Sequence, residues 1–107
     1  MVTLSASVEQ RVRKAARILA DKQSVAAVYV FGSQINGKPD KWSDIDVAVF
    51  VEGAEKMGLH QRAQLSAMIQ REAGDDLELH FFTRDMFDHP APASFARFVM
   101  ANGIHLV

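Results

Sequence analysis

The chain holds 107 residues, 49% of them hydrophobic and 23% charged, with a net charge of −1. That balance matches an ordinary globular protein and excludes a collagen-like or disordered chain, and the length suits one domain, residues 1–107, with a modest core. The absence of cysteine removes disulfides, thiolate metal sites and a cysteine nucleophile together, and the near-neutral charge gives no global pull toward nucleic acid or anionic membrane.

The opening stretch, MVTLSASVEQRVRKAA, lacks the apolar run of a signal peptide, and nothing approaches the roughly 20 apolar residues of a membrane span. A soluble, cytoplasmic protein without membrane contact is therefore expected. Residues 5–22 read as a helix capped by Ser5 or Ser7, with Val8, Val12, Ala15, Ala16 and Leu19 at helical spacing. Its other face carries Arg11, Arg13, Lys14 and Arg17. A basic face can touch nucleic acid, but no aromatics interleave to stack bases, so a solvated face is the favoured reading. Residues 25–31, VAAVYVF, form a buried strand. The segment from Gln34 to Ser43 is turn-rich, with Asn36-Gly37 and Pro39-Asp40 as breakers. Residues 44–51, DIDVAVFV, form a second strand.

A second helix is predicted over residues 58–73, with Leu65, Met68 and Ile69 inward and Gly74 as its stop. Residues 76–82 alternate and read as a third strand. Pro90 and Pro92 precede a short helix around Phe95, Phe98 and Val99, which Asn102-Gly103 closes; the final IHLV can add a last short strand. This order predicts an α/β (α+β) domain: a small mixed β-sheet with helices packed on it.

Chemistry concentrates in FGSQINGKPDKWSDIDVAVF. Side chains two apart on a strand share a face. Asp44 and Asp46 therefore project together with Ala48 and Phe50, while Ile45, Val47, Val49 and Val51 point the other way into a core. Two carboxylates at a strand's start can reach one hard cation, Mg2+ or Mn2+. A lone pair of this kind is commonly just a solvated strand end. Gly32 changes the weighting, because a residue without Cβ lets a phosphate approach the backbone where the first strand leaves the sheet. Ser33 adds a hydroxyl and an amide that donate to phosphate oxygens.

Gly32-Ser33, ten intervening residues, then Asp44-Ile45-Asp46 and an apolar strand resemble the signature of the DNA polymerase beta-like nucleotidyltransferase superfamily. The leading helix, the later acidic strand and the final helix ending in Gly103-Ile104-x-Leu106 match in order. The resemblance thus covers nearly the whole chain and is nearest to the smallest members, the minimal nucleotidyltransferases. It implies the polymerase beta-like fold and transfer of a nucleoside monophosphate, AMP from ATP, to a hydroxyl acceptor. It also implies two Mg2+ ions, with Mn2+ as a substitute, bridged by Asp44 and Asp46, and a third carboxylate on a neighbouring strand. Asp76 and Glu78 are the candidates; Glu78 is chosen as the deeper of the two, between apolar residues where an unpaired charge is costly. Asp44, Asp46 and Glu78 are then catalytic and metal-binding, and Gly32, Ser33 and Ser43 bind the nucleotide. Two positions depart from the pattern: the family usually has aspartate where Glu78 stands, and often arginine where Gln34 stands.

Lys38 and Lys41 read as solvated, and Trp42 as packing over the sheet edge. His80 shares the face of Glu78, but with no second histidine at ligand spacing it reads as structural. The resemblance further implies a helical HEPN-type toxin as partner, with the chain as an antitoxin that adenylylates a tyrosine on it. The competing reading is a non-catalytic module that binds a nucleotide or a partner. Nucleic acid is disfavoured, and the oligomeric state is left open, an oligomer included.

Overall fold

The computed structural model describes residues 4–32 and 44–107. Among them the elements run α1 (Ala6–Ala20), β1 (Val25–Phe31), β2 (Ile45–Val51), a 3-10 turn (Ala54–Lys56), α2 (Leu59–Ala73), β3 (Leu77–Thr83), α3 (Arg84–Asp88), α4 (Phe95–Asn102) and β4 (Ile104–His105). The strands form one sheet in the order β3-β2-β1-β4. β1 runs antiparallel to β2 and β4, whereas β2 and β3 are parallel. A parallel pair cannot be joined by a tight hairpin, and α2 supplies the crossover between β2 and β3.

Each face of the sheet has its own cover. Val28, Val30, Ile45, Val47, Val49 and Leu77 lie on the face packed by α1 and α2. Those helices contribute Val12, Leu19, Leu65 and Ile69, all buried as the 3.6-residue spacing predicts. Gly74 ends α2 as expected. The other face presents Tyr29, Phe31, Ala48, Phe50 and Phe82, and is covered by α3 and α4. Phe50 is its centre, with ring centroids 5.8 Å from Tyr29, 5.0 Å from Phe82 and 5.5 Å from Phe87. Burying one such ring contributes about 1.5–3 kcal/mol.

Local chemistry explains the helix starts. Ser5, Thr83 and Ser94 each accept a hydrogen bond from a backbone N–H three residues on, at 3.2, 3.1 and 3.1 Å. The Thr83 cap starts α3, a five-residue helix that the hydrophobic periodicity does not show.

The basic face of α1 is only partly solvated. Arg11 is half-buried: its Nε donates to the Ala73 carbonyl at 2.9 Å, and its Nη2 pairs with Asp76 Oδ1. Arg13 donates to the Leu106 carbonyl at 3.1 Å. Two of the four basic side chains therefore tie α1 to α2, β3 and the chain end.

Tyr29 is buried, and desolvation raises its phenol above the ordinary pKa of 10.0. It is the single tyrosine, so tyrosinate absorbance reports on it alone. The folded state disfavours the phenolate, so this stabilisation is complete below the unfolded pKa and is lost as pH rises through the raised folded value. An alkaline titration of the folded protein is expected to give a midpoint above that of free tyrosine, returning to the free value in denaturant. A folded midpoint at the free value would contradict the burial.

Candidate functional site

In β2 every side chain except Asp46 is buried. The strand is central and covered on both faces, so a carboxylate survives there only at its open end. Register brings the site together: Phe31 lies opposite Asp46 on one side, and Glu78 opposite Asp46 on the other. The exit of β1 and the starts of β2 and β3 thus share one edge of the sheet, with Gly32 immediately beyond Phe31.

Gly32 has φ +84°, and a Cβ built there would run into Asp46 Oδ2. The turn and the carboxylate occupy space that only glycine leaves open. Across the sheet, His80 Nε2 donates to Asp46 Oδ1 at 3.2 Å and lies 4.0 Å from Glu78 Oε1. Ala48 stands opposite His80 in the register; its small side chain leaves room for the imidazole to lean toward Asp46. The His80 ring is flanked by Phe31 and Phe95, with centroids at 5.1 and 6.4 Å. One ligand atom each from Asp46, Glu78 and His80 lies within 4.8 Å of the others.

The geometry sorts the sequence candidates. Asp46 and Glu78 come together, and Asp46 lies against Gly32. Asp44 is exposed just ahead of β2 and is not part of the close group. Ser33 and Ser43, together with Gln34, Lys38, Lys41 and Trp42, lie outside the described residues. The reason for preferring Glu78 over Asp76 needs correcting. Glu78 is the more open of the two, its side chain 56% exposed against 36% for Asp76. What separates them is pairing: Asp76 is engaged by Arg11, while Glu78 faces Asp46. His80, read as structural, lies in the same close group. Its period-2 place beside Glu78 was the available signal, and its partner lies on another strand.

This donor set fits a divalent cation. Two carboxylates on adjacent strands supply hard oxygens, and half-exposure leaves room for phosphate oxygens or water to complete a shell. The sequence model of the family described as "Polymerase beta, Nucleotidyltransferase" matches residues 13–107. The chain belongs to the polymerase beta nucleotidyltransferase family. Among solved structures, a "putative nucleotidyltransferase" from Sulfolobus solfataricus is similar in fold, with a TM-score of 0.52 and 19% sequence identity over 82% of this chain and 83% of that one. No curated protein matches the sequence. As a nucleotidyltransferase domain, the chain has the mixed sheet expected of the family, with the carboxylate pair at the strand ends. Among the described residues no helix is long and apolar enough to cross a membrane.

Proposed function

We infer that the chain is a minimal nucleotidyltransferase, a single domain that transfers AMP from ATP to a hydroxyl acceptor in the presence of Mg2+. The observation that supports this most directly is the meeting of the Gly32 turn with the carboxylates of Asp46 and Glu78 at one sheet edge. A triphosphate needs backbone that it can approach closely and a cation to offset its charge, and the two needs are met side by side.

When bound, the divalent ions neutralise the triphosphate and the oxygens that gain charge during displacement. Asp46 and Glu78 would hold them, and Asp44, exposed just ahead of β2, would add a carboxylate at the open edge. Gly32, with Ser33 and Ser43, seats the phosphates. The acceptor oxygen bonds to the α-phosphorus, the bond to pyrophosphate breaks, and the hydroxyl proton is released. The domain contributes orientation and a prearranged electrostatic field.

The acceptor we assign is a tyrosine of a helical HEPN-type toxin, with the chain acting as a cytoplasmic antitoxin. Phe95 and Phe98, 51% and 49% exposed and stacked at 6.5 Å, offer apolar contact area next to the site for a protein partner. Incubation of the co-expressed pair with α-labelled ATP and Mg2+ is expected to leave labelled AMP on a partner tyrosine, located by mass spectrometry. ATP binding without transfer to any acceptor would instead favour a non-catalytic nucleotide-binding or partner-binding regulatory module. The exposed glutamate at the third carboxylate position, with Asp44 outside the close group, favours that second reading.

A further inference from the structure

The chemistry assigned to the carboxylates leaves His80 without a task. Its Nε2 nevertheless stands 3.2 Å from one oxygen of Asp46 and 4.0 Å from one of Glu78. In an octahedral shell with bonds of about 2.1 Å, adjacent ligand atoms stand about 3.0 Å apart and opposite ones about 4.2 Å. The two His80 separations fall in that range, and all three donor atoms lie within 4.8 Å of one another, close enough for small side-chain shifts to gather them on one ion. The imidazole is also aimed rather than free, since Phe31 and Phe95 flank it.

Resting on the reading of Asp46 and Glu78 as cation-binding residues, we propose that His80 Nε2, giving up to solvent the proton it donates to Asp46, is a third protein ligand to the ion they hold, and that this mixed set makes the chain select Mn2+ over Mg2+. Mg2+ is a hard ion served by oxygen donors, and it sheds water reluctantly. Imidazole nitrogen is a poor ligand for Mg2+ and suits first-row transition ions, among which Mn2+ is the one that also takes an oxygen-rich octahedron. Two carboxylates, one imidazole and positions open to phosphate oxygens make an oxygen-rich octahedron with one nitrogen, which Mn2+ accepts.

The test uses the whole chain with Mn2+ or Mg2+ alone, without nucleotide, at one pH. Calorimetry gives both affinities, and pulsed electron paramagnetic resonance shows whether a nitrogen nucleus is coupled to bound Mn2+. Wild type is expected to bind Mn2+ more tightly than Mg2+ and to show nitrogen coupling. His80→Asn is expected to lose the coupling and to weaken Mn2+ by about tenfold or more, since even a supporting partner of a ligand is worth that much, with little change for Mg2+. His80→Phe keeps a ring between Phe31 and Phe95 and so controls for lost packing; it should behave as His80→Asn does. Mn2+ bound in an Asp46-dependent way without nitrogen coupling overturns the ligand role of His80 and leaves the carboxylate site standing. Coupling that persists in both variants overturns it equally. Failure of wild type to bind either ion, or binding indifferent to Asp46→Asn, sinks the carboxylate site and this proposal with it.

Discussion

Asp46→Asn is expected to bind ATP in the presence of Mg2+ about a hundredfold more weakly or worse, the upper end of what even a supporting group contributes to a metal site. That is about 2.8 kcal/mol at 1.4 kcal/mol per factor of ten. The loss follows from position. Asp46 is the carboxylate pressed against the Gly32 turn and the one shared by Glu78 and His80, so no neighbour can replace it. Stability should move the other way. Asp46 and Glu78 are paired in register, and like charges directly opposite each other destabilise a sheet. With side chains 24% and 56% exposed, solvent screens the repulsion to a few tenths of a kcal/mol. Asparagine keeps an oxygen that can accept from His80. The metal-free variant should therefore melt at or slightly above the wild-type temperature while losing nucleotide. Calorimetry with ATP and a thermal melt check both halves. Unchanged ATP affinity sinks the cation-binding role, and a collapse of the melting temperature would make Asp46 a structural residue instead.

That opposition between stability and function bears on how legible the site was. The strands were readable because VAAVYVF and IDVAVFV bury almost every side chain, and a run of that kind has few alternatives to a central strand. Asp46 stands out for the same reason: a charge inside such a run conflicts with its surroundings, and conflicts of that kind are where a functional residue is expected. The helix α1 followed from its spacing, and Ser5, one of two possible caps, is the one used. What could not be read depends on contacts distant in sequence. Asp76 differs from Glu78 in its pairing with Arg11, 65 residues away, and a solvated basic helix face gave no hint of that pair. His80 meets Asp46 only because β2 and β3 are parallel with Ala48 opposite the imidazole, a register no local pattern specifies. The helix α3 is too short for periodicity to register, and its one signal is the Thr83 cap. Local chemistry therefore revealed the parts, and strand pairing determined which of them meet.

The second large effect lies at Gly32, where backbone and carboxylate requirements coincide. Gly32→Ala forces an alanine to φ +84°, which costs about 1–2 kcal/mol. For a domain near this size, each kcal/mol lowers the melting temperature by about 4–8 °C. The added Cβ also displaces the Asp46 carboxylate, and a misplacement of about an ångström at a reacting centre can cost about a hundredfold in rate. Gly53 separates the two causes. It has nearly the same φ, +83°, but a Cβ there meets nothing within 4 Å. Gly53→Ala should therefore show the melting shift with nucleotide binding and turnover intact, whereas Gly32→Ala should lose both stability and binding. A double-mutant cycle sharpens the contrast. Combining Gly32→Ala with Asp46→Ala removes the collision, so the pair should be more stable than the sum of the single losses predicts, by an interaction within the about 0.5–3 kcal/mol typical of touching residues. Strict additivity, or equal damage from Gly32→Ala and Gly53→Ala, would mean that the glycine serves the turn alone and that its closeness to Asp46 carries no function.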